Sequence, residues 1–136
     1  MAEGILDTST LILLGRIDET TDTLPSEPLI TAITLAELSV GPLVAAEDDE
    51  RAARQAHLQQ AEADFEPIPF DAAAARSFGS VAASLRRAGR KPAARAYDAM
   101  IAAVAVSRGL PVHTCNPSDF ANIDDLEVVA VPHPDH

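Results

Sequence analysis

The sequence predicts an α/β fold in which helices flank a mostly parallel sheet. Two observations carry that reading. Short apolar segments of strand character alternate with longer stretches of helical character, the order expected of β–α units. Gly15, Gly89 and Gly109 punctuate the helical stretches, and alanine, at 26 residues, favours helix in them. A chain of 136 residues argues for one domain spanning 1–136. About 70% of the unfolded surface can be buried at this size, so one core suffices.

The elements follow in order. Residues 4–7, GILD, read as a short buried strand, and residues 9–15 as a helix closed by Gly15. DETTDTLPSEP (18–28) is polar and turn-rich, hence a loop. LITAI (29–33) is the second strand. Residues 34–46 are helical, with Gly41-Pro42 expected to break or kink the helix. Residues 49–64 form an amphipathic helix rich in Ala, Gln and Glu. FEPIPF (65–70) is extended, and its two prolines suit an edge strand. Residues 72–88 form a helix ended by Gly89. Pro92 fits the first turn of a helix that runs to Arg108, with Gly109 as its C-cap. PVHT (111–114) is a strand, NPSDF (116–120) starts a helical turn, and LEVVAV (126–131) is the fifth strand. The end, 131–136, reads as a frayed tail.

Composition excludes several functions. Cys115 is the single cysteine, so there is no internal disulfide and no Cys-rich zinc site. Aromatics are too scarce for a base-stacking platform of the RRM type. No apolar run reaches about 18 residues, and no basic N-terminal segment precedes a long apolar one. The expectation is a soluble, cytoplasmic protein with no membrane association. The net charge of −11 argues against a broad nucleic-acid footprint. Its distribution argues the other way, because Arg86, Arg87, Arg90, Lys91 and Arg95 fall in ten positions free of acids. On charge alone this is a solvated helix end and loop. Its functional reading is a phosphate-contacting patch.

Four acids stand at informative places. Asp7 leaves a strand for a helix, and Glu37 lies three residues after Thr34 in TLAE. Asp98 precedes the apolar run AMIAAVAV, and Asp119 follows Asn116-Pro117. Each has an innocent explanation: an N-cap for Asp7, a Thr34–Glu37 capping box, a helix-dipole partner for Asp98, a capped turn for Asp119. Jointly these weaken. In a parallel sheet, strand C-termini and the following helix N-termini share one edge, which gathers Asp7, Glu37 and Asp119. Two carboxylates about 4 Å apart repel by roughly 4 kcal/mol at an effective dielectric of about 20. A divalent cation resolves that conflict, and oxygen-only ligands favour Mg²⁺ or Mn²⁺ over zinc.

At these residues the sequence resembles a known family. LDTST, TLAEL, YDAMIAA and TCNPSDF look like the motifs of PIN-domain ribonucleases, and their order and the chain length resemble the VapC toxins of VapBC toxin–antitoxin pairs. The resemblance implies a three-layer α/β/α sandwich with a five-stranded sheet of order 3-2-1-4-5. It implies that Asp7, Glu37, Asp98 and Asp119 are catalytic and hold one or two Mg²⁺ or Mn²⁺ ions. Ser9, Thr114 and Asn116 match supporting polar positions. It further implies endonucleolytic hydrolysis of RNA by water, a VapB-like antitoxin as partner, and a homodimer. The basic stretch 86–95 then gains weight as a guide for RNA, with Lys91 and Arg95 alternatively meeting the antitoxin.

His113 reads as core or surface, His133 and His136 as adventitious, and Cys115 as non-nucleophilic for want of a base. The competing functions are a PIN-like nuclease outside toxin–antitoxin systems, a non-catalytic binding module, and a small-molecule phosphohydrolase. Against the last, Ser9 stands where a second Asp would support it.

Overall fold

The structure, a computed structural model, describes residues 3–18 and 20–135. Four strands form one parallel sheet: β1 (Glu3–Leu6), β2 (Glu27–Leu29), β3 (Val112–Thr114) and β4 (Val128–Ala130), in the order β2-β1-β3-β4. Among the described residues five helices accompany them: α1 (Thr8–Leu13), α2 (Ala32–Val44), α3 (Asp48–Asp64), α4 (Ala72–Arg87) and α5 (Ala96–Arg108). Short 3-10 turns follow α1 and precede α5, and another carries Pro117–Phe120.

The expected third strand, 65–70, contracts to a single parallel bridge, Thr31 to Ile68. The cause lies in the sequence. Pro67 and Pro69 lack N–H groups, so Ile68 alone can pair: its N–H donates to Ile30 O at 2.9 Å and its carbonyl accepts from Ala32 N–H at 2.8 Å. The bridge lies beside β2, so the expected order of five survives as four strands and one bridge. The second strand ends sooner than expected, at Leu29, because Thr31 already caps α2.

Helix α2 runs through Pro42 to Val44 where a break was expected. A proline late in a helix removes one hydrogen bond, and α2 ends two residues beyond it. The freed carbonyls of its end are satisfied by α3: Arg54 Nη1 donates to Gly41 O at 3.0 Å and Arg51 Nη2 to Ala45 O at 3.3 Å. Helix α5 stops where Gly109 adopts φ +65°, a conformation that favours glycine.

Side chains alternate across the sheet. Ile5 and its neighbour Val112 face α4 and α5, where Val81, Leu85, Ile101 and Val104 close the main core. On the opposite face Cys115 and Val131 pack with Ile17, Leu13 of α1 and Leu24. Ile30, Leu38 and Ala61 join α2 and α3 beside Leu11 and Phe65. Residues 131–135, expected to fray, are held: Val131 is buried with its N–H on Thr114 O at 2.8 Å, and Asp135 pairs with Arg16. His136 lies outside the described residues. Among the described residues no helix is long and apolar enough to cross a membrane.

Candidate active site

Because the strands are parallel, their C-terminal ends share one rim, and the chain leaves each along it. Asp7 is the residue on which β1 becomes α1. Its carbonyl accepts the Leu11 N–H at 3.0 Å, but its side chain makes no capping bond. Oδ2 instead accepts hydrogen bonds from Ser9 Oγ and Thr114 Oγ1, each at 3.1 Å. Oδ1 is buried and has no partner. Burial pushes this carboxyl above the ordinary aspartate value, and the nearby hydroxyls of Thr10, Thr114 and Ser9, with the Thr10 N–H, offset part of the effect.

Beneath Asp7 the three expected supporting residues form one network. Asn116 Nδ2 donates to Ser9 Oγ at 3.0 Å, and the Asn116 N–H donates to Thr114 Oγ1 at 2.9 Å. Thr10, which the sequence reading passed over, accepts the Cys115 N–H at 2.9 Å and so ties α1 to the end of β3.

Glu37 closes no capping box. Thr31, not Thr34, caps α2, accepting from the Thr34 N–H at 3.3 Å. Thr34 and Glu37, three residues apart, share the helix face that meets α1. There Thr8 Oγ1 donates to Glu37 Oε1 at 2.6 Å and lies 2.9 Å from Thr34 Oγ1. Burial raises the Glu37 carboxyl, the Thr8 hydroxyl opposes that, and the Asp7 charge adds to it. Thr8 was missed because the sequence signal of a hydroxyl beside an acid is shared by every capping motif.

Asp98 lies in the first turn of α5, a helix whose residues Ala99 and Ile101 to Ala105 are buried. Its carboxyl is pushed up to about 6, first by burial, then by the charges of Asp119, Asp7 and Glu37, with Arg95 pulling it back. All four acids therefore share one electrostatic neighbourhood. Asp119, on the 3-10 turn, accepts from Arg95 Nη1 at 3.2 Å. Among the described residues no three carboxylate, imidazole or thiol groups converge tightly enough to enclose one ion as the side chains lie. The acids face one another at electrostatic range. Their chemistry nonetheless fits a hard divalent cation: every donor is a carboxylate oxygen, and Asp7 Oδ1 is an unclaimed one.

The basic stretch divides. Arg87 pairs with Asp124 at 2.6 Å, Arg90 Nη1 donates to Ala121 O at 3.0 Å, and Arg95 joins the acids. Arg86 and Lys91 are exposed and make no ion pair among the described residues. His113 is a core residue: its Nδ1 lies 2.6 Å from Thr23 O, on the sheet face away from α5. The Cys115 thiol is buried, and burial raises its pKa, which disfavours the thiolate a nucleophile needs.

Residues 5–126 match the PIN domain family. The chain is 44% identical over 133 residues to Ribonuclease VapC5 of Mycobacterium tuberculosis, covering 96% of this chain and 94% of that protein. Its fold is similar to a crystal structure of VapBC-5 from Mycobacterium tuberculosis, a member of the VapBC family of toxin-antitoxin systems. That match has a TM-score of 0.80 and 40% identity, and covers 96% of this chain and 100% of the other. It is also similar to DNA-bound VapBC from Salmonella typhimurium, with a TM-score of 0.70 and 29% identity over 94% of this chain and 97% of the other.

Proposed function

This chain belongs to the PIN domain family, and on that premise we propose that it is a metal-dependent endoribonuclease toxin, neutralised by a cognate VapB-like antitoxin. It acts as a single domain, as a homodimer and in the cytoplasm. Asp7, Glu37, Asp98 and Asp119 are its catalytic residues and hold Mg²⁺ or Mn²⁺. The observation that carries this reading is the gathering of Asp7, Glu37, Asp98 and Asp119 into one charge neighbourhood, with Asp7 Oδ1 buried and without a partner. Such an arrangement is costly without a cation among the carboxylates.

Asp7, Glu37, Asp98 and Asp119 would hold the divalent cation, which would supply positive charge for the attacked phosphate and for the activation of water. The chain's own residues do the rest. Ser9 and Thr114 occupy Asp7 Oδ2 and leave Oδ1 as its donor. Thr8 holds Glu37 by one oxygen. Arg95, the cation among the acids, binds the RNA phosphate. Arg86 and Lys91 extend that contact along the backbone, with Arg87 and Arg90 bracing the surface behind them.

The test is RNA cleavage with Mg²⁺ or Mn²⁺, with and without EDTA, using wild type beside Asp98→Asn. Cleavage that needs the metal and disappears in the variant is expected. Cleavage at equal rates in both would overturn the four-acid site.

A further inference from the structure

We infer that Thr8, backed by Thr34, is the positioning residue for Glu37: it fixes one carboxylate oxygen so that the other is presented to a divalent cation. The inference rests on the metal-dependent reading above and deepens it. A threonine hydroxyl has one proton to donate. The 2.6 Å contact from Thr8 Oγ1 to Glu37 Oε1 uses the Thr8 proton, because an ionised carboxylate only accepts. The 2.9 Å contact between Thr8 Oγ1 and Thr34 Oγ1 must then be filled by the Thr34 proton. Hydrogen bonds therefore run one way, from Thr34 to Thr8 to Glu37.

The direction has a purpose that packing does not explain. Thr34 is fully buried, and its hydroxyl would be costly there without a partner. Valine would fill the same space without that cost. What the hydroxyls add is a charge-assisted bond on Oε1, which is stronger than a neutral one and polarised by the bond behind it. Glu37 is only half-buried, and a free glutamate side chain has rotamer freedom to lose on binding an ion. Thr8 removes that freedom beforehand. Thr8 is also joined by one peptide bond to Asp7, so one short segment of α1 sets two of the four acids.

The experiment measures Mn²⁺ affinity by titration calorimetry and by the electron resonance of free Mn²⁺, without RNA. The proteins are wild type, Thr8→Val, Thr34→Val and Thr8→Ser, each also melted to establish that it folds. Thr8→Val is expected to bind Mn²⁺ about tenfold more weakly or worse, Thr34→Val to fall between it and wild type, and Thr8→Ser to stay within about twofold of wild type. A folded Thr8→Val with wild-type affinity overturns the assignment and leaves the metal site standing. Loss of the fold in both valine variants, with Thr8→Ser folded, assigns the hydroxyls to stability and also overturns it. A wild type that binds no Mn²⁺ overturns the metal reading and this inference together.

Discussion

Arg95 reaches from the turn before α5 to Asp119, with Nη1 3.2 Å from Oδ1, and its charge acts on the cluster around Asp98. Both side chains are more than a third exposed, at 35% and 39%, so solvent screens the pair. Its removal should cost under about 1 kcal/mol of stability. Its removal from a phosphate in the transition state should cost far more, about a hundredfold in rate. Arg95→Ala is therefore expected to unfold near the wild-type urea midpoint while single-turnover RNA cleavage collapses. A large stability loss with unchanged cleavage would make Arg95 a structural residue.

The metal-free protein should lose stability as pH rises from about 4 through about 6. The sign follows from Asp98. Its carboxyl stands near 3.8 in the unfolded chain and about 6 in the folded one, so the folded state holds the proton more tightly. Below both values there is no penalty; above about 6 the full cost of burying this charge beside three others is present, which solvent screening of the part-exposed group keeps below about 3 kcal/mol. Asp7 and Glu37 shift in the same direction and reinforce it. Asp98→Asn should flatten this part of the profile and melt higher than wild type at pH 7 in EDTA. Added Mn²⁺ should stabilise wild type more at pH 7 than at pH 5. A wild type and variant with parallel profiles would contradict the shared charge neighbourhood.

Asp7→Asn separates the donor from the charge. The remaining side-chain oxygen can still accept from Ser9 and Thr114, so the network under it is retained. The amide carries no charge and needs no cation. The variant is expected to melt at or above wild type without metal, to bind Mn²⁺ at least about tenfold more weakly, and to lose cleavage. Calorimetry and an RNA assay on the same preparation check all three, and wild-type Mn²⁺ affinity would remove Asp7 from the ligand set.

The fold was legible where backbone chemistry speaks through single residues. Gly109 and Pro92 bounded the last long helix, and alternation of strands with helices announced the parallel sheet. It was less legible where two signals compete. FEPIPF has the apolar content of a strand, but two missing N–H groups leave it one bridge. TAITLAE offers two threonines three residues apart, and only the turn at Thr31 decides which one caps. The rim was legible from topology, since strand ends collect acids. The partners of those acids were not, because Thr8 meets Glu37 across 29 positions of chain. Nor did charge alone tell Arg95, which joins the acids, from Arg87, which pairs with Asp124.

A Cβ at Gly4 would lie 2.4 Å from His113 Cδ2 and Nε2 and 3.0 Å from Pro25 Cβ, the first of these well inside contact distance. The imidazole has little room to retreat, since its Nδ1 is engaged at 2.6 Å by Thr23 O and the ring is buried. Overpacking of this kind costs roughly 1 to 3 kcal/mol. Gly4→Ala is expected to lower the urea midpoint by that amount. His113→Ala is expected to cost stability by leaving a void. The double variant should cost less than the sum of the two, because the new methyl group enters the space the ring has left. Strictly additive losses would mean that the ring moves aside freely and that glycine at this position answers to something other than His113.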